Sequence, residues 1–162
     1  MKWVFLITGL IVSLLIIVGI IGYFLPEKHT ASVRVIINAE PGKVWQKLMD
    51  FAAYPQWRKN LKSVEVISES EWVEIDQHNN RLPLKVTAIE PNKKLITLIN
   101  SQHLAFGGSW EFDLQPTGNQ TIVTITENGE VYNPLFRFVS KFMMGHTANV
   151  KQYASYLEQS FL

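Results

Sequence analysis

The chain has 162 residues, of which 47% are hydrophobic, and its formal net charge at pH 7 is +1. This length accommodates one domain with a short appendage. The near-neutral charge argues against nucleic-acid binding, which requires a clear basic excess. The absence of cysteine excludes disulfides, thiol catalysis and thiolate metal sites.

The N-terminal segment carries an apolar run, residues 3–25, that contains no charged side chain. At about 1.5 Å per residue, a helix of this length spans a hydrocarbon core of about 30 Å. Trp3 and Tyr23 lie near its two ends, as interfacial aromatic residues do. The alternative is a cleaved signal peptide, whose apolar core is about 7–15 residues long, and residues 20–24 offer a poor cleavage site. We therefore expect residues 1–29 to be an uncleaved transmembrane anchor with a short tether.

The charges that flank this segment bear on its orientation in the membrane. Lys2 favours a cytoplasmic N-terminal tail. Lys28 and Arg34, on the other side of the apolar run, partly favour the opposite orientation. We expect a single-pass protein of the cell membrane with its domain, residues 30–162, outside the cytoplasm. Pro26 should end the helix, so the domain should lie close to the bilayer surface.

The domain begins with a predicted strand followed by a broken helix. Apolar residues alternate through residues 32–38, which predicts a first strand. Val44, Leu48 and Phe51 then recur at helical spacing and predict one buried helix face. Pro55 interrupts this helix and should bring Tyr54 and Trp57 together at the break.

This stretch carries a family resemblance. The residues that match are Ala39, Pro41, Val44, Trp45, Leu48, Asp50, Phe51, Tyr54, Pro55 and Trp57. Their order and spacing resemble the START-like (SRPBCC) superfamily, the polyketide cyclase/dehydrase and lipid-transport family, and the resemblance covers residue 30 to the C-terminus. It implies an α+β helix-grip fold with a deep apolar cavity between the sheet and the C-terminal helix. The family contains cyclases, hydrolases, lipid carriers and ligand sensors, so the resemblance alone does not fix the function.

Strand patterns follow the broken helix at short, regular intervals. They cover residues 61–68, 71–78, 82–90, 94–100, 105–114 and 120–127, and turn residues such as Asn79-Asn80 and Gly118-Asn119 separate them. Such spacing is typical of an antiparallel meander. We therefore predict a curved antiparallel sheet of about seven strands.

The last predicted element is a long C-terminal helix. Asn133 is a suitable cap, and Pro134 suits the first helical position. An apolar stripe then continues almost to the end of the chain through Leu135, Phe138, Phe142, Val150, Tyr153, Leu157 and Phe161. We expect this helix to fill the concave side of the sheet, with Arg137 and Lys141 on its exposed side.

The candidate ligand-binding residues are mainly aromatic. They are Trp45, Phe51, Tyr54, Trp57, Trp72, Phe106, Trp110, Phe112, Phe138, Phe142 and His146. Pockets for apolar ligands are lined in this way, although a packed core would carry the same residues. His146, on or beside the apolar stripe, could act as an acid or base or hold the polar end of a ligand; the alternative is a core histidine with a satisfied hydrogen bond.

Few other polar residues suggest chemistry. Tyr54 and Arg58 could bind a carboxylate or phosphate at the cavity mouth, or Tyr54 could pack while Arg58 stays solvated. Glu65, Glu111 and Glu127 lie in strands, and the sequence leaves open whether they face the cavity or water. His78 and His103 lack metal-ligand spacing, and no phosphate or dinucleotide motif is present. We therefore predict no catalytic set, no metal site and no cofactor.

These observations favour a membrane-anchored, non-enzymatic binder or carrier of a hydrophobic ligand, either a lipid or a polyketide-like molecule. One alternative is a cyclase/dehydrase-type enzyme that uses His146 or a strand carboxylate as base. The other is a filled domain that binds a protein partner at the membrane. A connected cavity in the fold would favour the first two functions, and a solid core would favour the third.

Overall fold

The computed structural model describes residues 2–145 and 147–162. Helix α1 (Lys2–Phe24) comes first and is the one described helix that is long and apolar enough to cross a membrane. Only residues 25–27 separate it from the first strand, so the domain starts directly at the end of α1.

One antiparallel sheet forms the body of the domain. Its strands are β1 (Lys28–Ile37), β2 (Leu61–Val66), β3 (Glu71–Asp76), β4 (Arg81–Glu90), β5 (Lys94–Ile99), β6 (Phe106–Thr117) and β7 (Gln120–Val131). The order across the sheet is β1-β7-β6-β5-β4-β3-β2, so the first strand pairs with the last. Strand β1 begins at Lys28, two residues before the predicted domain boundary, and takes up most of the predicted tether.

Two short helices, α2 (Pro41–Met49) and α3 (Tyr54–Trp57), connect β1 to β2. As predicted, the chain breaks between them, at a single 3₁₀ turn (Phe51–Ala53) that the Asp50 side chain caps. Val44 and Leu48 are fully buried on one face of α2. They join the inner residues of the sheet in a single core. The predicted α+β helix-grip fold is thereby confirmed.

The C-terminal helical region is divided, in contrast to the continuous helix predicted. It consists of α4 (Pro134–Val139), a π-helical turn (Ser140–Met144) and α5 (Ala148–Gln159). Gly145 ends the first part with a positive φ of 75°, a conformation that favours glycine. Of these three segments, only α5 covers the concave face of the sheet, with Val150, Tyr153 and Leu157 buried.

Helix α4 instead packs against the C-terminal end of α1. A Cβ atom added at Gly22 would collide with the backbone of Pro134, so the two helices approach at backbone distance. Arg137 is buried, contrary to the predicted exposed position, and its Nε donates to the Val131 carbonyl at 2.8 Å. Its other nitrogens donate to the carbonyl of Leu25 and to the carboxylate of Glu27. The end of α1, the start of β1 and α4 therefore form one joint.

Candidate ligand-binding site

A small cavity of about 70 Å³ lies between the concave face of the sheet and α5. Its lining combines aromatic and aliphatic side chains with one buried ion pair. The lining residues are Tyr54, Arg58, Trp72, Glu74, Leu82, Leu84, Thr97, Trp110, Phe112 and Tyr153. The space between sheet and helix is therefore mostly filled, and the predicted deep cavity is small in this conformation.

The polar centre of the cavity is a bidentate ion pair between Arg58 and Glu74. Arg58 follows α3, and Glu74 lies on the inner face of β3, two positions after Trp72. Arg58 Nη1 donates to Glu74 Oε1 at 2.5 Å and Nη2 donates to Oε2 at 2.9 Å. The indole Nε1 of Trp72 also donates to Glu74 Oε1, at 3.3 Å. Both charged groups are buried, so each depends on the other for its stability in the core.

Two tyrosine rings flank the Arg58 guanidinium. Its central carbon lies 4.6 Å from the ring centroid of Tyr153 and 5.2 Å from that of Tyr54, both within the range of a cation–π interaction. Burial lowers the pKa of Arg58, but the Glu74 carboxylate outweighs it, and the net pKa lies above the ordinary value. Arg58 is therefore a fixed cation, which corrects the alternative of a solvated side chain.

Tyr153 occupies the middle of the site and largely determines how much space is left. Its ring contacts Trp57, Trp110 and Phe112, with centroid distances of 5.6, 5.6 and 5.1 Å. Burial raises the pKa of Tyr153 to about 12, so its hydroxyl stays protonated at neutral pH. Within the described part of the chain, Arg58 Nε and this hydroxyl are buried without a close hydrogen-bond partner, although the Tyr54 hydroxyl is near enough to the Tyr153 hydroxyl to lower its pKa slightly. Buried polar atoms normally have a partner, so these two are available to a ligand.

Most of the aromatic residues predicted to bind ligand meet at this site. Tyr54, Trp72, Trp110 and Phe112 line the cavity. The Phe51 ring stacks on Trp72 with a centroid distance of 3.8 Å, and Trp57 contacts both Tyr54 and Tyr153. Trp45 is partly buried against the core without lining the cavity.

The remaining predicted residues lie elsewhere. Phe106 at the start of β6 is 44% exposed, and Phe142 in the π-helical turn is 59% exposed. The Phe138 ring packs on Phe142 at a centroid distance of 4.9 Å. Both residues lie in the segment before α5, and neither lines the cavity. The positions of Phe138 and Phe142 follow from the division of the C-terminal helix, because of its segments only α5 lines the cavity. His146 lies outside the described residues.

The three strand carboxylates separate into two classes. Glu65 pairs with Arg81 and Glu111 pairs with Lys94, and both pairs are solvent-accessible. Glu127 instead follows Val123 and Ile125 on the inner face of β7. Burial raises the pKa of Glu127 to about 7, with a smaller opposing effect from the Asn149 amide of α5. Its Oε2 has no hydrogen-bond partner among the described residues.

The sequence analysis missed Glu74 as the partner of Arg58, and it missed Tyr153 as the residue at the centre of the site. A signal for Glu74 was present, because it shares the inner face of β3 with Trp72 in the two-residue alternation of a strand. Tyr153 was recognised as part of the apolar stripe of the last helix. Its central position depends on the packing of α5 against the sheet, which sequence spacing does not give.

A second depression of about 500 Å³ lies on the surface, between α2, α3 and the end of the chain. It is lined by Lys43, Gln46, Lys47, Asp50, Ala53, Gln56, Trp57 and Ser160. Its lining carries both positive and negative side chains that are open to solvent. It lacks the apolar walls around a buried polar group that the first cavity has. Among residues 2–145 and 147–162, no group of three His, Asp or Glu side chains could hold a metal ion.

Comparison with solved structures supports the same architecture. The START superfamily protein from Mycobacterium smegmatis has a TM-score of 0.69 and 21% identity, covering 82% of this chain and 97% of its own. A conserved protein from Geobacillus kaustophilus gives a TM-score of 0.67 and 20% identity over 82% of this chain and 95% of its own. Norcoclaurine synthase from Thalictrum flavum gives a TM-score of 0.64 and 10% identity, covering 82% of this chain and 86% of its own. At these identities the likeness shows the fold alone.

No curated protein matches the chain. The family described as polyketide cyclase / dehydrase and lipid transport matches residues 28–153, from the first residue of β1 to Tyr153 of α5. This match contains the whole sheet and every residue that lines the cavity. The chain therefore belongs to the polyketide cyclase/dehydrase and lipid transport family.

Proposed function

We propose that this protein is a membrane-anchored domain that binds a hydrophobic molecule between the concave face of its sheet and α5. The observation that carries the proposal is the cavity around Arg58, which joins aromatic walls to buried polar atoms that lack partners. Apolar walls with a few convergent polar groups are typical of small-molecule sites. Helix α1 supplies the anchor, residues 1–29, and residues 30–162 form the binding domain.

The polar centre favours a ligand whose polar end is uncharged. Both terminal nitrogens of Arg58 are already engaged by the Glu74 carboxylate, so the pair is neutral as a unit. A ligand carboxylate would gain little from Arg58 and would be repelled by Glu74. A carbonyl or hydroxyl can instead bond the Tyr153 hydroxyl and Arg58 Nε, the two groups left without partners. The favoured ligand is therefore an apolar molecule that ends in a neutral oxygen.

The cavity volume indicates how such a ligand enters. Sites for drug-sized ligands enclose about 300–1,000 Å³, whereas this cavity measures about 70 Å³. Only the end of a larger molecule fits without a conformational change. Since Gly145 separates α5 from α4, α5 can shift away from the sheet while α4 stays in place. Binding should therefore displace α5 or rotate Tyr153.

Photo-crosslinking of the full-length protein in phosphatidylcholine nanodiscs tests this function. The probe is a long-chain alcohol that carries a diazirine, and the labelled peptides are identified by mass spectrometry. We expect labelling on the peptides that contain Trp110 and Tyr153, and weaker labelling with the matching long-chain acid. Thr97→Phe fills the cavity, and overpacking of about 1–3 kcal/mol should reduce this labelling about tenfold.

Thr87→Phe is the matched control, because Thr87 is exposed on β4 and lies outside the cavity lining. It should label like the original protein. Far-ultraviolet circular dichroism verifies that both variants keep their strand content. The proposal fails if the probe labels only α1, or if Thr97→Phe and Thr87→Phe are labelled equally.

A second candidate function, acid–base catalysis on the same face of the sheet, is favoured by one observation. The Glu127 carboxyl lies on the inner face of β7 and has a pKa raised to about 7. A carboxyl with this pKa exchanges protons readily at neutral pH, as a general base must. Its cross-strand neighbours are Ala31 and Trp110, so a substrate bound there would meet an apolar surface.

Hydrogen exchange on a simple ketone tests this candidate. If Glu127 acts as a base, the full-length protein should accelerate deuterium uptake at the carbon next to the carbonyl of an apolar cyclic ketone. The rate should rise with pH and level off above about pH 7, because the base acts in its deprotonated form. Glu127→Gln should remove the acceleration. Equal rates with Glu127→Gln would exclude the carboxyl as the base.

A further inference from the structure

Helix α4 packs against the last turns of α1, and its contacts with two glycines fix its position along that helix. Leu135 Cδ2 lies 3.8 Å from the position that a Cβ would take at Gly19, and the Pro134 backbone contacts Gly22. The two glycines are one turn apart along α1 and present a smooth strip without side chains. The first turn of α4 therefore runs beside the last turns of α1.

This contact places α4 at the level of the membrane if α1 spans it. At about 1.5 Å rise per residue, and with about 15 Å of hydrocarbon on either side of the middle of α1, Gly19 lies about 6 Å inside the hydrocarbon edge. Gly22 lies about 1–2 Å inside the same edge. Pro134 and Leu135 touch these residues, so the start of α4 lies at or below the edge of the hydrocarbon.

The outward side of this region is strongly apolar. We define the α4 surface as Tyr132, Leu135, Phe136, Phe142 and Met143, all of which are exposed. Phe136 is 54% exposed and Met143 is 75% exposed. Large apolar side chains clustered on a surface mark an interaction site. Tyr23 and Phe24, which follow the Gly22–Pro134 contact at the end of α1, are also exposed.

The charges nearby are arranged as a membrane interface requires. The charge of Arg137 is neutralised by Glu27, and its other donors are taken by the carbonyls of Leu25, Val131 and Tyr132. A cation near hydrocarbon is tolerated when it is paired in this way. Lys141 is exposed, and its ammonium lies 5.8 Å from the Phe142 ring centroid. It can reach the head groups while its stem follows the apolar ring.

We propose that the α4 surface is inserted in the interface of the same bilayer that α1 spans, and that lipid acyl chains and head groups cover it. This inference rests on the membrane anchor of the proposed function, and it adds a fixed orientation of the domain relative to the bilayer. The domain then stands with the Lys28 end of its sheet toward the lipid. The Gly145 break lies just above the bilayer, so a ligand taken from the membrane reaches the space beneath α5 without crossing bulk water.

Site-specific fluorescence tests the insertion, and the absence of native cysteine makes single-cysteine labelling clean. The environment-sensitive dye NBD is attached to Phe136→Cys or Phe142→Cys in the full-length protein, reconstituted in phosphatidylcholine vesicles with or without nitroxide-labelled lipid. We expect blue-shifted emission at both positions and loss of most of it when nitroxide lipid is present. Ile11→Cys in α1 is the inserted control, and Ile67→Cys is the control at the opposite end of the sheet.

Each other result overturns the inference. If Phe136→Cys and Phe142→Cys behave like Ile67→Cys while Ile11→Cys is quenched, the anchor stands and the α4 surface is not inserted. If Ile11→Cys is also unquenched, the anchor itself is wrong and the inference fails with it. If the labels are shielded from aqueous iodide but not quenched by nitroxide lipid, a protein covers the surface. Photo-crosslinking in the cavity is a separate readout, so failure of the insertion and failure of ligand binding are distinguishable.

Discussion

The Arg58–Glu74 pair is the residue-scale feature that most constrains this domain. A bidentate pair inside the core costs desolvation energy, and the attraction between its members returns that energy only while both are present. The cation–π contacts with Tyr54 and Tyr153 then connect the pair to α5. The pair thus links the short helices, the sheet and the last helix at one point.

A double-mutant cycle on this pair should show strong coupling. Glu74→Leu alone leaves an unpaired buried cation, and Arg58→Met alone leaves an unpaired buried anion, so each should lower the free energy of unfolding by about 3–5 kcal/mol. The double variant should recover most of that loss, since neither charge then remains. Urea unfolding of the full-length protein in detergent, followed by near-ultraviolet circular dichroism, measures the three values.

The exposed pair between Arg81 and Glu65 is the matched control. It is also bidentate, with Nη1–Oε1 and Nη2–Oε2 distances of 2.8 and 2.5 Å, but both side chains are about half exposed. Arg81→Met should hardly change the stability, because surface ion pairs are weak. Additive losses from Arg58→Met and Glu74→Leu would show that the buried pair does not act as a unit.

At this scale the sequence predicted contacts between residues close in the chain better than pairings between distant residues. Tyr54 lies beside Trp57, as expected, because both belong to α3. The break itself lies one step earlier than predicted, at Phe51–Ala53, and Pro55 sits in the first turn of α3, where proline is tolerated. Arg58 and Glu74 are 16 positions apart, and their pairing depends on the register between β2 and β3. The positions of Glu65, Glu111 and Glu127 required the same information. Side-chain direction in a strand follows from alternation, but the face that is inner depends on the whole sheet.

At the scale of elements, the division of the C-terminal helix is the main departure from expectation. The apolar stripe from Leu135 to Phe161 has helical spacing throughout, so the sequence predicted one helix. The two halves of this stripe pack against different surfaces: α5 packs against the sheet, and α4 packs against α1. The positive φ of Gly145 ends the first helical segment and separates these two surfaces.

The contact between α1 and α4 should fail when Gly22 gains a side chain. In Gly22→Val the new side chain would collide with the Pro134 backbone, which cannot move aside as a flexible side chain can. We expect α4 to separate from α1. A short bismaleimide linker between Gly19→Cys and Leu135→Cys detects the contact, and the yield of crosslinked protein should drop when Gly22→Val is added.

Gly9→Val serves as the control, because no atom lies within 4 Å of a Cβ added at Gly9. It adds the same side chain to the same helix and should leave the crosslinking yield unchanged. Equal yields with Gly22→Val and Gly9→Val would show that the helices are not packed together. The cavity region should keep its near-ultraviolet circular dichroism in both variants, since α5 does not contact Gly22.

For the whole molecule, the fold class followed from the sequence because strand alternation and turn residues recur at regular intervals. The aromatic motif from Ala39 to Trp57 added the helix-grip arrangement. The volume of the cavity could not be predicted, because the same aromatic residues line a pocket or fill a core. In this structure they do both: Phe51 and Trp72 stack in a packed layer, while Trp110 and Tyr153 border the remaining space.

The pairing of the first strand with the last has a consequence for biosynthesis. Thr30 and Asn128 meet across β1 and β7 although they are 98 positions apart in the chain. Because synthesis runs from the N-terminus, the ribosome must complete nearly the whole domain before β1 finds its partner. Strand edges left unpaired during synthesis invite association with other chains. The nascent domain therefore stays open until its final third emerges, and this interval is when protection by a chaperone matters most.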